Sequence, residues 1–437
     1  MRRFFILFAV AVAACFASAN TPLEDFSIDP RLSASNHVAY PFPERLAPAL
    51  THSPQGYEPF YIDHYGRHGS RWLTNKENYD YPVDMLEKAK RNNVLTSTGE
   101  QVLETLTFIR NASKERVGEL SDVGAEQHRA IAKRMMENFP EVFRGDAIID
   151  AKSTIIIRCI LSMLNETGTF KSMNPQLKIT TDASKHDMYY MGWGYGEDTL
   201  ATAMRTGLKK RFDPTKANID YQRFIDQLIS DRNFVADSID APRLMCNIFV
   251  LAGNMQSHHV FDNMDLYYLF TNQELFDLWR LYNIYWYVQW ANAPINGNRM
   301  PFIERALLQH MIADADKAIA NNERGADLRF GHETCVLPLA CLMEIDDIGY
   351  SCADLDSLHL YWQDYNIIAK ACNIQMVFYR EKGKTAAESD VLVKVLYNEH
   401  EAKLPFDSPT APYYRWNDIK GYYIEKLKTA IDWRPAE

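Results

Sequence analysis

The segment Tyr61–Leu73 constrains the fold of this chain more than any other, because an apolar run breaks there into a short cationic loop. The run Phe60–Ile62 is aromatic and β-branched, which favours a buried strand, and Gly66 interrupts it. The loop that follows carries Arg67, His68 and Arg71. The sequence therefore predicts a buried strand that ends in a tight polar loop.

Two guanidinium groups beside one imidazole indicate binding of an anion. Arg67 and Arg71 each present a planar fork of donors that suits an oxyanion such as phosphate. Between two fixed cations, His68 tends to stay neutral, and a neutral imidazole is a nucleophile. The alternative is a surface loop whose charges are solvated, since short motifs often match by chance.

The pentapeptide Arg67–Arg71 resembles the Arg-His-Gly-x-Arg signature of the histidine phosphatase superfamily, and within it that of the acid phosphatase and phytase branch. A second segment, 119–127, resembles the Leu-Thr-x-x-Gly-x-x-Gln helix start of that branch, with Ser121 in place of threonine. Asp122 is the predicted cap of this helix. The resemblance implies that Arg67 and Arg71 bind the substrate phosphate and that His68 is the nucleophile.

A third segment places an arginine inside an apolar run. Burial of Arg158 without an anionic partner would be costly, so the residue pairs either with a structural carboxylate or with a ligand. Ser153, Arg158 and Ser162 match a Ser-x-x-x-x-Arg-x-x-x-Ser pattern of the same family. The resemblance implies that Arg158 is a third phosphate-binding arginine.

The fourth segment, 327–334, is another apolar stretch that ends in glycine, here followed by His332 and Glu333. Ligands of open α/β sheets bind at the carboxyl ends of strands, so we expect this segment and Arg67–Arg71 to meet. The resemblance implies that His332 binds phosphate and that Glu333 donates the proton. Its flanks are similar to those of the multiple inositol polyphosphate phosphatases, but the carboxylate directly follows the histidine, which leaves its efficiency as an acid open.

We expect an α/β fold, with a mixed, mostly parallel sheet flanked by helices and a large helical insertion. Residues 20–165 and 322–437 are the predicted core, and 166–321 the insertion or cap domain. Residues 20–57 lack periodicity and suggest an irregular surface lead-in. The aromatic stripe 266–290 has helical spacing and is predicted to be core. The pair at 258–259, two histidines, is predicted to be surface or capping.

Residues 1–19 are typical of a secretory signal, with two arginines, an apolar stretch too short for a membrane span, and a small-residue cleavage site. The stretch ending at Cys15 also resembles a lipoprotein box, in which Cys15 would carry a lipid anchor. Cleavage after Ala19 is favoured because Phe16 is an unusual start for a lipoprotein. Either route predicts export to the periplasm, the cell surface or the medium.

A net charge of −10 argues against nucleic acid and anionic membranes as partners. Six cysteines remain after Cys15, without metal-ligand spacing, and disulfides and buried free thiols stay equally open. The arginines supply the positive charge, so neither a metal nor a cofactor is expected.

These features predict hydrolysis of phosphomonoesters through a phosphohistidine, with phytate or other inositol polyphosphates as first candidates. Candidate contacts to the outer phosphates are Lys76, Lys152 and Lys185. The runner-up is a broad acid phosphatase that acts on sugar phosphates or nucleotides. Two further alternatives are a mutase and a catalytically impaired protein that only binds a phosphate ligand.

Overall fold

The structure, a computed structural model, describes residues 20–40, 49–192, 199–216 and 218–431. Within these ranges eight strands form one sheet: β1 (Tyr57–Arg67), β2 (Ile148–Ser153), β3 (Lys178–Asp182), β4 (Gly325–Gly331), β5 (Asn373–Glu381), β6 (Leu392–Tyr397), β7 (His400–Glu401) and β8 (Tyr414–Arg415). Their order is β3-β2-β4-β1-β5-β6-β7, and β8 pairs with β6.

The sheet is mixed. Strands β3, β2, β4 and β1 run parallel, whereas β5 is antiparallel to β1 and β6 is antiparallel to β5. The predicted antiparallel pair near the end of the chain is β5 and β6. With the helices below, this arrangement confirms the predicted α/β class.

The described residues form fifteen α-helices: α1 (Pro22–Ile28), α2 (Glu77–Arg91), α3 (Ser97–Ala112), α4 (Asp122–Asn138), α5 (Ile157–Met173), α6 (Met188–Met191), α7 (Thr199–Arg211), α8 (Gln222–Leu228), α9 (Arg232–Ser238), α10 (Ala241–Met255), α11 (Asn272–Trp290), α12 (Arg305–Ala320), α13 (Glu333–Leu342), α14 (Asp364–Ile367) and α15 (Trp416–Leu427). None of them is both long and apolar enough to span a bilayer.

Alternate side chains of the strands enter two hydrophobic clusters. Ile62 of β1 belongs to one cluster, and Tyr61 and Tyr65 belong to the other. Helix α11 contributes Trp279 to the first and Tyr287 to the second, so the predicted core role of the aromatic stripe is confirmed. The division into a core and an insertion stays a prediction, although β3, within 166–321, pairs with β2.

The predicted irregular surface lead-in is wrong. Residues 20–40 contain α1, capped by Thr21, and a 3-10 helix, Pro30–His37, whose middle is buried. The physical reason is apolar packing, since the ring of Phe26 lies edge-on to Trp279 at 5.2 Å between centroids. This segment reaches the candidate site, as described below.

Two local predictions also need correction. The cap of α4 is Ser121, whose hydroxyl accepts a hydrogen bond from Gly124 N at 3.1 Å, and Asp122 is the first helical residue. His258 is buried rather than on the surface, with its ring 3.9 Å from that of Trp72 between centroids, but it is the N-cap residue of the 3-10 helix His259–Phe261, which agrees with the capping alternative. His259 is exposed, as predicted, and its imidazole lies 2.9 Å from Glu126.

The six cysteines beyond Cys15 are free and buried. Of the two possibilities, disulfides and buried free thiols, the structure has free thiols. The proposed signal at 1–19 and the lipid-anchor candidate Cys15 lie outside the described residues.

Candidate active site

The two histidine segments meet at one edge of the sheet. Strands β1 and β4 pair in parallel with Arg67 opposite Gly331, and His68 N donates to Gly331 O at 2.9 Å. The rings of His68 and His332 are 5.5 Å apart between centroids and nearly perpendicular. The expectation that two strand ends, distant in sequence, come together is confirmed.

The other two predicted segments hold the loop after β1. Gln127 on α4 accepts a hydrogen bond from Ser70 N at 2.8 Å, and Ser162 on α5 accepts one from Gly69 N at 3.1 Å. Gly69 packs against Gly124, where an added Cβ would lie 2.7 Å from the Gly124 Cα. The loop backbone is therefore fixed by α4 and α5 before any ligand binds.

This close approach predicts that Gly69→Ala disturbs the site. The new methyl must displace the start of α4, and overpacking of this kind typically costs about 1–3 kcal/mol. We expect a lower midpoint of thermal unfolding together with reduced phosphatase activity. Gly168→Ala on α5 is the matched control, because a Cβ there meets no atom within 4 Å. A Gly69→Ala protein with wild-type stability and activity would contradict this prediction, because the start of α4 would then move without cost.

The imidazole of His68 is buried and oriented for nucleophilic attack. Its Nδ1 lies 2.8 Å from Gly69 O, a carbonyl that can only accept, so Nδ1 carries the proton and Nε2 keeps its lone pair. Burial, followed by the charges of Arg158 and Arg67, lowers the pKa of His68 well below its usual value. The ring is therefore neutral, as expected from the sequence.

Three guanidinium groups act on this imidazole. Arg67 is fully buried, and its Nη1 donates to Asn36 O at 2.8 Å and to Ile368 O at 2.5 Å. Arg71 is buried as well and donates to Trp72 O at 2.9 Å. Each of the two keeps a buried Nε that no described residue accepts from.

Arg158, in the first turn of α5, is half-buried and forms no ion pair with a carboxylate among the described residues. Its Nε also lacks a partner there. Its charge is the largest of those that lower the pKa of His68 and of His332. The alternative of a structural ion pair for Arg158 is therefore not found among the described residues. This favours a ligand as the partner of Arg158.

His332 precedes α13 as its N-cap residue. Its Nε2 lies 3.7 Å from Cys159 Sγ. Burial, and then the charge of Arg158, lowers its pKa to about 4. Near neutral pH the ring is uncharged and can donate one hydrogen bond to an anion.

Glu333 is held by cations. Its Oε1 accepts from Arg67 Nη2 at 2.8 Å and from Asn36 Nδ2 at 2.9 Å, and its Oε2 lies 3.9 Å from His68 Nε2. Burial opposes ionisation, but Arg67, Lys370 and Arg71 together outweigh burial and hold the pKa of the carboxyl well below its usual range. Without a ligand Glu333 is thus an anion, although its position beside the nucleophile suits proton transfer.

The ligand atoms of His68, His332 and Glu333 lie within 4.8 Å of one another, so this set has the geometry to hold a metal ion. Three guanidinium charges act on the same groups and repel a cation. The same charges attract an oxyanion. The electrostatics therefore favour an anion at this position.

No protein-family model and no curated protein matches the sequence. Solved structures do match. The multiple inositol polyphosphate phosphatase of Bifidobacterium longum, in complex with inositol hexasulfate, is 17% identical with a TM-score of 0.68, covering 91% of this chain and 98% of that chain. The phytase from D. castellii is 14% identical with a TM-score of 0.65, covering 91% of this chain and 85% of that chain.

The chain has the histidine phosphatase fold. The phytase of Hafnia alvei in complex with tartrate is a more distant example, 10% identical with a TM-score of 0.51 over 86% of this chain and 98% of that chain. At these identities the likeness is one of fold. For the fold, the resemblance to the acid phosphatase and phytase branch is confirmed.

Within this histidine phosphatase fold, sequence reasoning missed three residues at the site. Asn36 and His37 come from the lead-in segment, where no pattern marked them. Lys370 is fully buried just before β5, and its charge acts on Arg67 and Glu333. A signal for Lys370 existed, because a lysine within the apolar run 367–372 poses the same burial problem as Arg158.

The three predicted outer-phosphate lysines have surface positions. Lys76 pairs with Asp80, Lys152 lies 3.8 Å from Asp150, and Lys185 is exposed. Their contact with a substrate stays a prediction.

Proposed function

We propose that this chain is an exported histidine acid phosphatase that hydrolyses phosphomonoesters through a phosphohistidine. One observation carries the proposal: a buried, neutral His68 keeps the Nε2 lone pair free while the charges of three arginines surround it. Anion binding alone needs the guanidinium groups but not an imidazole oriented in this way.

The reaction has two steps. His68 Nε2 attacks phosphorus, the bond from phosphorus to the leaving oxygen breaks, and that oxygen takes a proton from Glu333. Water then attacks the phosphohistidine, giving its proton to Glu333 and releasing phosphate and neutral His68. Arg67, Arg71, Arg158 and His332 neutralise the non-bridging oxygens, where charge spreads in the transition state.

Glu333 must be protonated for the first step, whereas the empty site favours its anion. A bound phosphate dianion changes this balance, because it takes up the donors of Arg67 and Arg71 and repels the carboxylate. Both effects raise the pKa of Glu333 in the complex. Substrate binding thus favours the protonated form of Glu333, which is the form that donates the proton. This favours an acidic to near-neutral pH optimum.

Phytate is the first candidate substrate. Two solved proteins of similar fold are a phytase and an inositol polyphosphate phosphatase, the latter solved with inositol hexasulfate. Lys76, Lys152 and Lys185 are candidate contacts for outer phosphates. A broad acid phosphatase is the alternative, since the central site recognises only one phosphate group.

The direct test is incubation of purified protein with phytate and with p-nitrophenyl phosphate from about pH 3 to pH 8, with measurement of released phosphate. Release from phytate at the higher kcat/KM supports an inositol polyphosphate phosphatase. Preference for p-nitrophenyl phosphate supports the broad enzyme. Absence of release from both rejects the proposal.

A second candidate is a protein that binds a phosphate ligand without turnover. The observation that favours it is the hold of Arg67 and Asn36 on the Glu333 carboxylate, which keeps the proposed acid ionised. The two candidates differ in what His68 contributes, and the first experiment in the Discussion separates them.

Chelators should leave phosphate release unchanged. The guanidinium groups supply the positive charge that a metal supplies in other phosphatases. We expect the same kcat before and after dialysis against EDTA. Loss of activity that returns with one added metal would instead assign that metal to His68, His332 and Glu333.

A further inference from the structure

Lys370 is a buried lysine that the mechanism above does not use. Its side chain is fully buried, and its Nζ has no hydrogen-bond partner among the residues that the structure describes. A buried ammonium group without a partner is costly, so such groups are rare unless something pairs with them. An anionic ligand at this position would supply the missing partner.

The backbone around Lys370 is tied to the nucleophile loop. Lys370 N donates to Val38 O at 2.8 Å, and Ala371 N donates to His68 O at 3.1 Å. Arg67 N donates to Cys372 O at 2.8 Å. Lys370 therefore stands at a fixed place directly beside the Arg67–His68 backbone.

The charge of Lys370 acts on groups from several elements that surround the site. Arg67 ends β1, Arg71 belongs to the loop after it, Arg158 to α5 and Glu333 to α13, and all four act on Lys370. Lys370 also acts on His37 of the 3-10 helix. These interactions, together with the backbone contacts to Val38 and His68, place Lys370 next to the site.

Several buried polar atoms of these groups, including Lys370 Nζ, have no hydrogen-bond partner among the described residues. These buried atoms are Arg67 Nε, Arg71 Nε, Arg158 Nε, His37 Nδ1 and Lys370 Nζ. Most of them are donors, which matches a ligand with several acceptor oxygens. A phosphate group is such a ligand.

We propose that Lys370 is a fourth cationic ligand of the phosphate group, beside Arg67, Arg71 and Arg158. This inference rests on the proposed function only for the identity of the anion.

Phosphate binding should then take up a proton. Burial, followed by Arg67 and Arg71, lowers the pKa of Lys370 well below its usual value in the empty site, and Glu333 acts in the opposite direction. A bound dianion offsets the arginine charges, so a larger share of the Lys370 amine is protonated in the complex than in the empty site. Glu333 and His37 face the same space and can add to the proton count, so the difference between variants is the informative quantity.

The experiment compares wild type with Lys370→Met by isothermal titration calorimetry with inorganic phosphate, in buffers of different ionisation enthalpy. We expect at least about tenfold weaker binding and a smaller proton uptake in the variant, since a charge-assisted contact is lost. Its midpoint of thermal unfolding without phosphate should rise, because an unpaired buried amine is gone.

Lys394→Met is the matched control. Lys394 is also buried, but its Nζ lies 2.7 Å from Glu401 and donates to Thr51 O at 2.6 Å. We expect lower thermal stability with unchanged phosphate binding, the opposite pattern to Lys370→Met. If Lys370→Met does not fold, Lys370→Gln, which keeps a donor without the charge, gives the same comparison.

The outcomes separate this inference from the proposed function. Equal phosphate affinity and equal proton uptake in wild type and variant overturn the role of Lys370 and leave the phosphatase proposal standing. Phosphate binding that depends on Lys370, in a protein without turnover, supports Lys370 and rejects the phosphatase. A wild-type protein that binds no phosphate overturns both.

Discussion

Replacing His68 by alanine is expected to lower phosphate release by at least about 10³-fold, because the covalent route loses its nucleophile. The arginines that bind the anion remain in place, so affinity for inorganic phosphate should change little. Rapid quenching of wild type into base during turnover of labelled substrate should trap a phosphohistidine, which is absent in His68→Ala. A small change in kcat, or a labelled protein without His68, would contradict the mechanism.

His259→Ala provides the control for the loss of an imidazole. His259 is exposed and pairs with Glu126 and Asp262, neither of which has a role in the proposed reaction. It should keep wild-type kcat and KM. A protein that only binds a phosphate ligand gives a third pattern, in which wild type and His68→Ala bind equally and neither releases phosphate.

The sequence was sufficient to predict the centre of the site, because each part of it has a local signature. Strands β1 and β4 both begin as apolar runs with a glycine near their end, although β1 continues through Gly66 to Arg67 while β4 ends at Gly331. Parallel neighbours place such ends at the same sheet edge. Only a family resemblance marks the segments around Ser121 and Ser162, and the structure adds their physical role, which is to fix the loop backbone.

The rest of the site could not be predicted because its residues depend on tertiary contacts. Asn36 lies on a short 3-10 helix whose position is set by packing against α10 and α11. No period in residues 20–40 indicates that packing. Lys370 does carry a signal, because a charge within an apolar run poses the same burial problem as Arg158.

Glu333→Gln is expected to reduce kcat on phytate by about 10²–10⁴-fold, the usual contribution of a general acid. Glutamine keeps the acceptor oxygen that Arg67 and Asn36 bind, so the site should retain its geometry. Loss of a negative charge should also strengthen binding of inorganic phosphate. With p-nitrophenyl phosphate the loss should be smaller, because p-nitrophenolate leaves without a proton.

The pH profile gives the sharper test of the same residue. A donor must be protonated, so the rate falls as pH rises through its pKa. In the free protein Arg67, Lys370 and Arg71 outweigh burial and hold the pKa of Glu333 well below its usual range, and a bound dianion raises it. Because kcat/KM reports the free enzyme and kcat the complex, the alkaline limb of kcat should lie at higher pH than that of kcat/KM. In Glu333→Gln the limb of kcat should vanish. If it persists, or if both substrates lose the same factor, the proton comes from another group and Glu333 serves only to position Arg67.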